Sequence, residues 1–288
     1  MEPDLKPMTS LNLTIPQGWE HYSAADHATW DHLFERQMSL LPGCVACEFL
    51  SGIELLGLDE PGIPHFERLS ERLMKLTGWE VVAVPGLIPD KVFFDHLAHR
   101  RFVSGNFIRS RRELDYLQEP DVFHDVFGHV PLLAHPVFAD FMQAFGQAGT
   151  RAASAAAIPN PSSLYWYTVE FGLMRDGDGL KIYGAGVASS YGEARFALES
   201  PSPNRVCFDL ERVMRTQYRI DDFQQTYFVI NSFEDLLAQT LNTDFAPLYT
   251  RLRRLPELAP TDLIDADIVI TRGTQPASAS PISSAKIR

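Results

Sequence analysis

The chain has 288 residues, 45% of them hydrophobic and 22% charged, which is enough apolar material for one large domain with a substantial core. A formal net charge of −12 argues against nucleic-acid binding and against docking on anionic membranes, and no run of about 20 apolar residues offers a membrane span. There is no basic-then-apolar secretory leader, and the three cysteines, Cys44, Cys47 and Cys207, fit a reducing compartment better than a disulfide framework, so a cytoplasmic location is expected.

Residues 1–18 carry Pro and Thr and no long periodic segment, which predicts an extended arm. Ser23 reads as a helix N-cap with Asp26 at the third helical position; Trp30, Leu33, Phe34, Met38 and Leu41 then recur at helical spacing until Pro42-Gly43 ends the segment. Cys44-Val45-Ala46-Cys47 has CxxC form, but no second such pair or nearby histidine pair completes a zinc site, and we read two small side chains at a helix start. Helices are predicted over about 47–56, 64–76 and 89–99, with a strand at Trp79–Val84 and a short extended piece around Phe107-Ile108-Arg109. A helix over 136–147 is followed by Pro159-Asn160-Pro161-Ser162 as punctuation and by a tight turn at Asp176–Gly179. Short strands are expected at 180–183 and 226–230, with helices over 191–198 and 233–243. The expected fold is mainly α, an α+β domain with a few short strands: an arm over 1–18, one domain over 19–260, and a tail over 261–288 that is disordered from about 273.

Two stretches carry chemistry. In Glu119–Pro131, His124 and His129 are five residues apart, with Pro120 suited to a first helical turn and Gly128 and Pro131 suited to a helix end. An ideal helix would set the two imidazoles roughly 140° apart, so we expect the helix to unwind at Gly128 and swing His129 back beside His124. Converging neutral imidazoles suit a metal; two unrelated histidines, one at the surface and one a cap, would look the same by spacing. In Leu164–Leu173, Glu170 lies inside an aromatic, apolar run, where a buried carboxylate needs a cation or an arginine. Two histidines and one carboxylate are the ligand types of the facial triad of non-haem Fe(II).

EPDVFHDVFGHVPLL, LYWYTVEFGL and KIYGAGVASSYGE, in this order, resemble the catalytic domain of the pterin-dependent aromatic amino acid hydroxylases, and most of all the short bacterial phenylalanine 4-hydroxylases; the likeness runs from about Trp19 to about Leu248. The resemblance implies that family's catalytic-domain fold and an Fe(II)- and tetrahydropterin-dependent monooxygenase (tetrahydrobiopterin or a bacterial analogue) that converts L-phenylalanine to L-tyrosine with O2. Tryptophan or tyrosine hydroxylation is the alternative within the family, and a His2Glu zinc hydrolase the alternative outside it, although HExxH is missing. It implies His124, His129 and Glu170 as the iron ligands and catalytic centre. It assigns Arg109 to the amino acid's carboxylate, Asp121 to the support of Arg109, Trp166 and Phe171 to the substrate side, and Ser189 and Glu193 to the support of ligands and substrate. Gly86, Leu87, Ile88, Asp90, Phe93, Asp125 and Tyr165 fall to the pterin. The chain departs from animal members at Asp90 and Leu117, where a hydroxyl is usual. Trp166 in place of the smaller phenylalanine of tryptophan hydroxylases, and Ile220 in place of the acidic residue of tyrosine hydroxylases, point to phenylalanine. Animal members add a regulatory domain and a tetramer-forming helix; we expect here a monomer, with a tail dispensable from about 273.

Overall fold

The computed structural model describes residues 13–114, 119–154, 159–177 and 179–275. Residues 13–18 form no helix, and Ile15 pairs with Ala83 in a single antiparallel bridge. A short turn at Trp19–His21 leads to α1 (Ala24–Met38), which opens on a full capping box: the Ser23 side chain accepts from the Asp26 N–H and the Asp26 side chain accepts from the Ser23 N–H. α2 (Cys47–Leu56) stops at Gly57, whose φ of 58° is left-handed. All three cysteines are free. α3 (Phe66–Leu76) buries Phe66, Leu69 and Leu73 at helical spacing. β1 (Glu80–Ala83), α4 (Asp90–Ala98) and β2 (Arg101–Ser104) form a parallel strand–helix–strand unit, paired from Glu80 with Arg101 to Ala83 with Ser104. The strand of this unit therefore lies ahead of Phe107–Arg109, which is loop rather than the predicted extended piece.

A π-helix over Phe123–His129 runs straight into α5 (Val130–Leu133), followed by α6 (Pro136–Ser154) and α7 (Pro159–Tyr165). A second π-helical turn, Trp166–Glu170, leads to the antiparallel hairpin β3 (Leu173–Asp176) and β4 (Gly179–Ile182). The short α8 (Ala185–Ala188) and α9 (Tyr191–Glu199) precede β5 (Asn204–Cys207), α10 (Leu210–Met214), β6 (Thr226–Ile230), α11 (Phe233–Leu241), α12 (Phe245–Leu252) and β7 (Val269–Thr271). The second sheet has the order β4-β3-β6-β5-β7, with β6 parallel to both its neighbours. The described helices and strands bear out the mainly α, α+β reading; β2, β3, β5, β7, α5, α8, α10 and α12 were not foreseen, and α7 begins at the Pro159 read as punctuation.

The expected tail is where the structure differs most. β7 pairs antiparallel with β5, and buried Asp267 forms a 2.8 Å pair with Arg212 of α10. Beyond β7, the Gly273 N–H donates to Asn204 Oδ1 at 2.8 Å, so residues 273–275 are tied to the sheet rather than loose. A short apolar edge strand without alternation leaves almost no sequence signal, which is why this segment reads as tail. Residues 276–288 and Leu117 lie outside the described residues.

The site hangs on the core. Phe123 and Phe127, one α-like turn apart, stack at 4.7 Å and meet Trp30 at 5.2 Å and Phe49 at 5.7 Å respectively. Both rings are fully buried, worth about 2–3 kcal/mol each in area removed from water. This anchors one face of the π-helix and turns the histidines toward the other.

Candidate metal centre

His124 and His129 come together without any unwinding. Gly128 is inside the π-helix, not at its end. A π-helix closes its hydrogen bonds from i to i+5, so residues five apart share a face, as residues four apart do in an α-helix. The widened turn therefore removes the roughly 140° offset, and Pro131 sits in the first turn of α5, where its missing N–H is harmless. The His124 and His129 Nε2 atoms are 3.3 Å apart. Glu170 closes the third side from the other π-helical turn: its Oε1 lies 3.2 Å from His129 Nε2 and its Oε2 3.6 Å from His124 Nε2. The three ligand atoms lie within 4.8 Å of one another, and Glu170's ionic partners are these two imidazoles rather than an arginine.

The hydrogen bonds fix the protonation. The Ser189 hydroxyl donates to the Ala185 carbonyl at 2.8 Å, so its oxygen accepts at 2.9 Å from the His124 Nδ1–H. His124 Nε2 is then a lone pair aimed at His129 and Glu170. Burial pushes the His124 imidazole down to about 4; Glu170 opposes this and His129 reinforces it. Burial also works against charge on Glu170, yet His129, His124 and the Gly186 N–H together hold its carboxyl below the usual range. A neutral His124 imidazole, the His129 Nε2 crowded to 3.3 Å beside it and an ionised carboxylate form a donor set that fits a divalent cation.

The glycine-rich run beyond the triad explains how Glu170 is held. A Cβ on Gly184 would lie 2.4 Å from the Gly172 nitrogen and 2.5 Å from the Glu170 carbonyl, and one on Gly186 would meet Phe171 at 2.9 Å and Glu170 Oε2 at 3.2 Å. α8 thus presses its backbone onto the Glu170 turn, an approach open only to glycine.

The triad opens onto a cleft of about 120 Å³ lined by His124, Glu170, Gly86, Leu87, Ile88, Asp90, Phe93, Asp125 and Tyr165 together with Phe102, Gly105 and Glu119. Every residue assigned by resemblance to the pterin is in that wall. Gly86 has φ 121°, the left-handed side that its loop requires. Phe93 meets Tyr165 edge-on at 5.4 Å, and Tyr165 lies parallel to His129 at 6.1 Å. Asp125 accepts from the Gly105 N–H at 2.8 Å, and burial pushes its carboxyl up to about 7.

Residues 14–252 match the family described as biopterin-dependent aromatic amino acid hydroxylase. This chain belongs to that family. It is 58% identical over 262 residues to a phenylalanine-4-hydroxylase of Caulobacter vibrioides, covering 91% of this chain and 89% of that one. It is 53% identical over 262 residues to the corresponding enzyme of Chromobacterium violaceum, covering 91% and 88%. Crystal structures of the Chromobacterium violaceum phenylalanine hydroxylase superpose with a TM-score of 0.88 in both the cobalt-bound form (53% identity, 90% of this chain, 93% of that one) and the form with bound oxidized Fe(III) (54% identity, 90% and 94%).

In this aromatic amino acid hydroxylase the remaining predicted residues lie outside the cleft lining, and of them Asp121 and Ser189 bond His124 directly. Arg109 is a buried guanidinium whose Nε and Nη2 both donate to Asp121 at 2.8 Å, leaving Nη1 outside the pair. Asp121 also accepts from the Arg109 and His124 backbone N–H groups, so one carboxylate ties Arg109 to the start of the π-helix. Burial works to raise its pKa, but Arg109 and the His124 N–H together hold the Asp121 carboxyl below its usual range. Trp166 packs against Phe171 at 4.8 Å, and Phe171 reaches the Glu170 carboxylate's side of Gly186. Glu193 is buried, accepts from Tyr227 Oη–H and the Gln224 N–H, and is pushed up to about 7 by burial. Ile220 is 55% exposed, so the case for ring choice rests on Trp166 rather than on Ile220. Sequence reasoning missed Gln224, Tyr218 as a stacking partner, and the Gly105 N–H; nothing in their local sequence marks them. No described helix is long and apolar enough to cross a membrane.

Proposed function

We propose that this aromatic amino acid hydroxylase converts L-phenylalanine to L-tyrosine with O2, an Fe(II) ion and a tetrahydropterin, and that His124, His129 and Glu170 hold the iron. The observation that carries the reading is the triad itself: three ligand atoms within 4.8 Å, with His124 and Glu170 in the wall of the cleft that the pterin-loop residues line. The identity of the relatives supports phenylalanine as substrate.

Iron and reduced pterin, once bound, supply the activation of oxygen; the protein supplies position, dryness and charge. His124 presents a neutral nitrogen ligand, since burial and Ser189 hold its proton away from the metal side, and His129 offers its Nε2 beside it. Glu170 supplies the one anionic ligand, which leaves coordination positions open. Gly86, Leu87, Ile88 and Asp90 offer the rim on which the pterin lies, Phe93 and Tyr165 its aromatic walls, and Asp125 a carboxyl facing it. Arg109 takes the amino acid's carboxylate through the edge that Asp121 leaves uncovered, and Asp121 keeps the guanidinium rigid. Trp166 and Phe171 form the flat wall for the substrate ring, while Ser189 and Glu193 act from behind. No side chain has to accept a proton in the oxidising step.

The test is oxygen consumption and product identification with iron, a tetrahydropterin and each aromatic amino acid in turn. Tyrosine from phenylalanine at the highest kcat/KM is expected. Better turnover of tryptophan or tyrosine overturns the substrate, and stoichiometric zinc without oxygen use overturns the chemistry.

A further inference from the structure

The residue that holds Trp166 is not one of its sequence neighbours. Gln224 is 2% exposed, and each end of its side chain has a defined task. Its Oε1 accepts from the Trp166 indole N–H at 2.9 Å, and its Nε2 donates to the Arg219 carbonyl at 3.0 Å. Its backbone N–H donates to Glu193 Oε1 at 3.1 Å, and the same oxygen accepts from Tyr227. On the indole's other side, Tyr218 stacks at 4.5 Å with an interplanar angle of 19°. The loop that bears Tyr218 is itself pinned, because the Tyr167 hydroxyl donates to the Gln217 carbonyl at 2.7 Å. An indole packed against Tyr218 and Phe171 still slides and rotates about its second torsion; a directed hydrogen bond to its only polar atom removes that freedom.

We infer that Gln224 is a positioning residue for the hydroxylation, setting the plane of the Trp166 ring and thereby the size of aromatic ring the site accepts. The inference rests on the proposed place of Trp166 beside the substrate. It adds that the 217–224 loop and the Trp166 wall act as one unit, with Gln224 as the fastener. A single neutral hydrogen bond of this kind is worth about a three- to tenfold factor.

The experiment is a cycle of Gln224→Met, Trp166→Phe and the double variant, assayed with phenylalanine and tryptophan on the iron-loaded enzyme. Met keeps the volume and removes both hydrogen bonds. Gln224→Met is expected to raise the KM for phenylalanine about three- to tenfold, with kcat changed less than about twofold, and to shift the phenylalanine-to-tryptophan ratio of kcat/KM toward tryptophan. In the Trp166→Phe background, which has no indole N–H, the same change is expected to do much less, only the bonds to the Arg219 and Asp222 carbonyls remaining to be lost. Equal effects in both backgrounds, or none in either, overturn the inference. If Trp166→Phe alone leaves the substrate ratio untouched, it is the placement of Trp166 that fails. A measurement independent of turnover is hydrogen exchange at the Trp166 indole N–H in 15N-labelled wild-type protein, assigned by its loss in Trp166→Phe. Slow exchange is expected, and exchange as fast as a free indole overturns the inference without any Gln224 variant having to fold.

Discussion

At the scale of single residues, the site is a set of groups with no spare member. His124→Ala, His129→Ala and Glu170→Ala are each expected to lose iron and hydroxylation while the far-ultraviolet circular dichroism stays native; stoichiometric iron with full turnover in any of them removes that residue from the centre. Glu193 makes a separate claim through its titration. Its carboxyl stands at about 7 in the folded protein, above the unfolded value of about 4.3, so between those values the folded state holds a proton that the unfolded chain has released. Stability contributed by this residue is therefore full below the unfolded pKa and falls as pH rises toward 7. Glu193→Gln still accepts from Tyr227 and Gln224, so its melting temperature is expected to gain on that of the wild type from about pH 5 to about pH 8. Parallel curves would show that Glu193 does not titrate in this range. The triad was legible in sequence because its chemistry is: two imidazoles and a carboxylate in an apolar run have few other uses. Gln224 was not, because glutamine is ordinary and its partner is 58 residues away.

At the scale of elements, both ligand-bearing segments are π-helical, and that is where sequence reasoning took the wrong route to the right place. The convergence of His124 and His129 was expected from the spacing, but by unwinding at Gly128. In fact Gly128 serves packing: a Cβ there would lie 2.9 Å from the Ala185 carbonyl. Period-3.6 reasoning cannot foresee a turn whose period it does not contain. Gly184 and Gly186 form no recognisable motif of their own, since their use is a backbone approach from another segment. Gly184→Ala is expected to lower stability by about 2–3 kcal/mol, a fall of about 5–10 °C in melting temperature, and to lose iron in the folded fraction. Gly128→Ala, with the milder approach, is expected to cost less. If Gly184→Ala melts like wild type, the close contact with the Glu170 turn is wrong.

At the scale of the whole molecule, residues 261–275 belong to the fold. The Arg212–Asp267 pair is buried on both sides, and removal of one partner of such a pair leaves an uncompensated charge. Asp267→Ala is expected to cost about 3–5 kcal/mol in denaturant unfolding, and truncation after residue 260 to expose the edge of β5 and bring on aggregation. Monomeric, fully active protein ending at residue 260 would contradict this. The helices over 24–56 and strands such as β6 were legible because period and caps announce them. β5 and β7 were not, because strands of three or four residues take their meaning from partners distant in the chain.

The π-helical seat of the histidines also determines how such a centre tolerates change. A π-turn is an α-helix with one residue too many, so the geometry is encoded by counting rather than by any side chain in the interval. Substitutions at Val126 or Phe127 alter packing but leave the two imidazoles in phase. Loss of a single residue between them would return the segment to α-helical spacing and rotate everything on one side of the cut by about 100° relative to the other. Either the phenyl rings would leave the core or the imidazoles would leave Glu170. Between the two histidines, insertions and deletions of one residue, rather than point substitutions, are thus the changes to which this centre is most exposed.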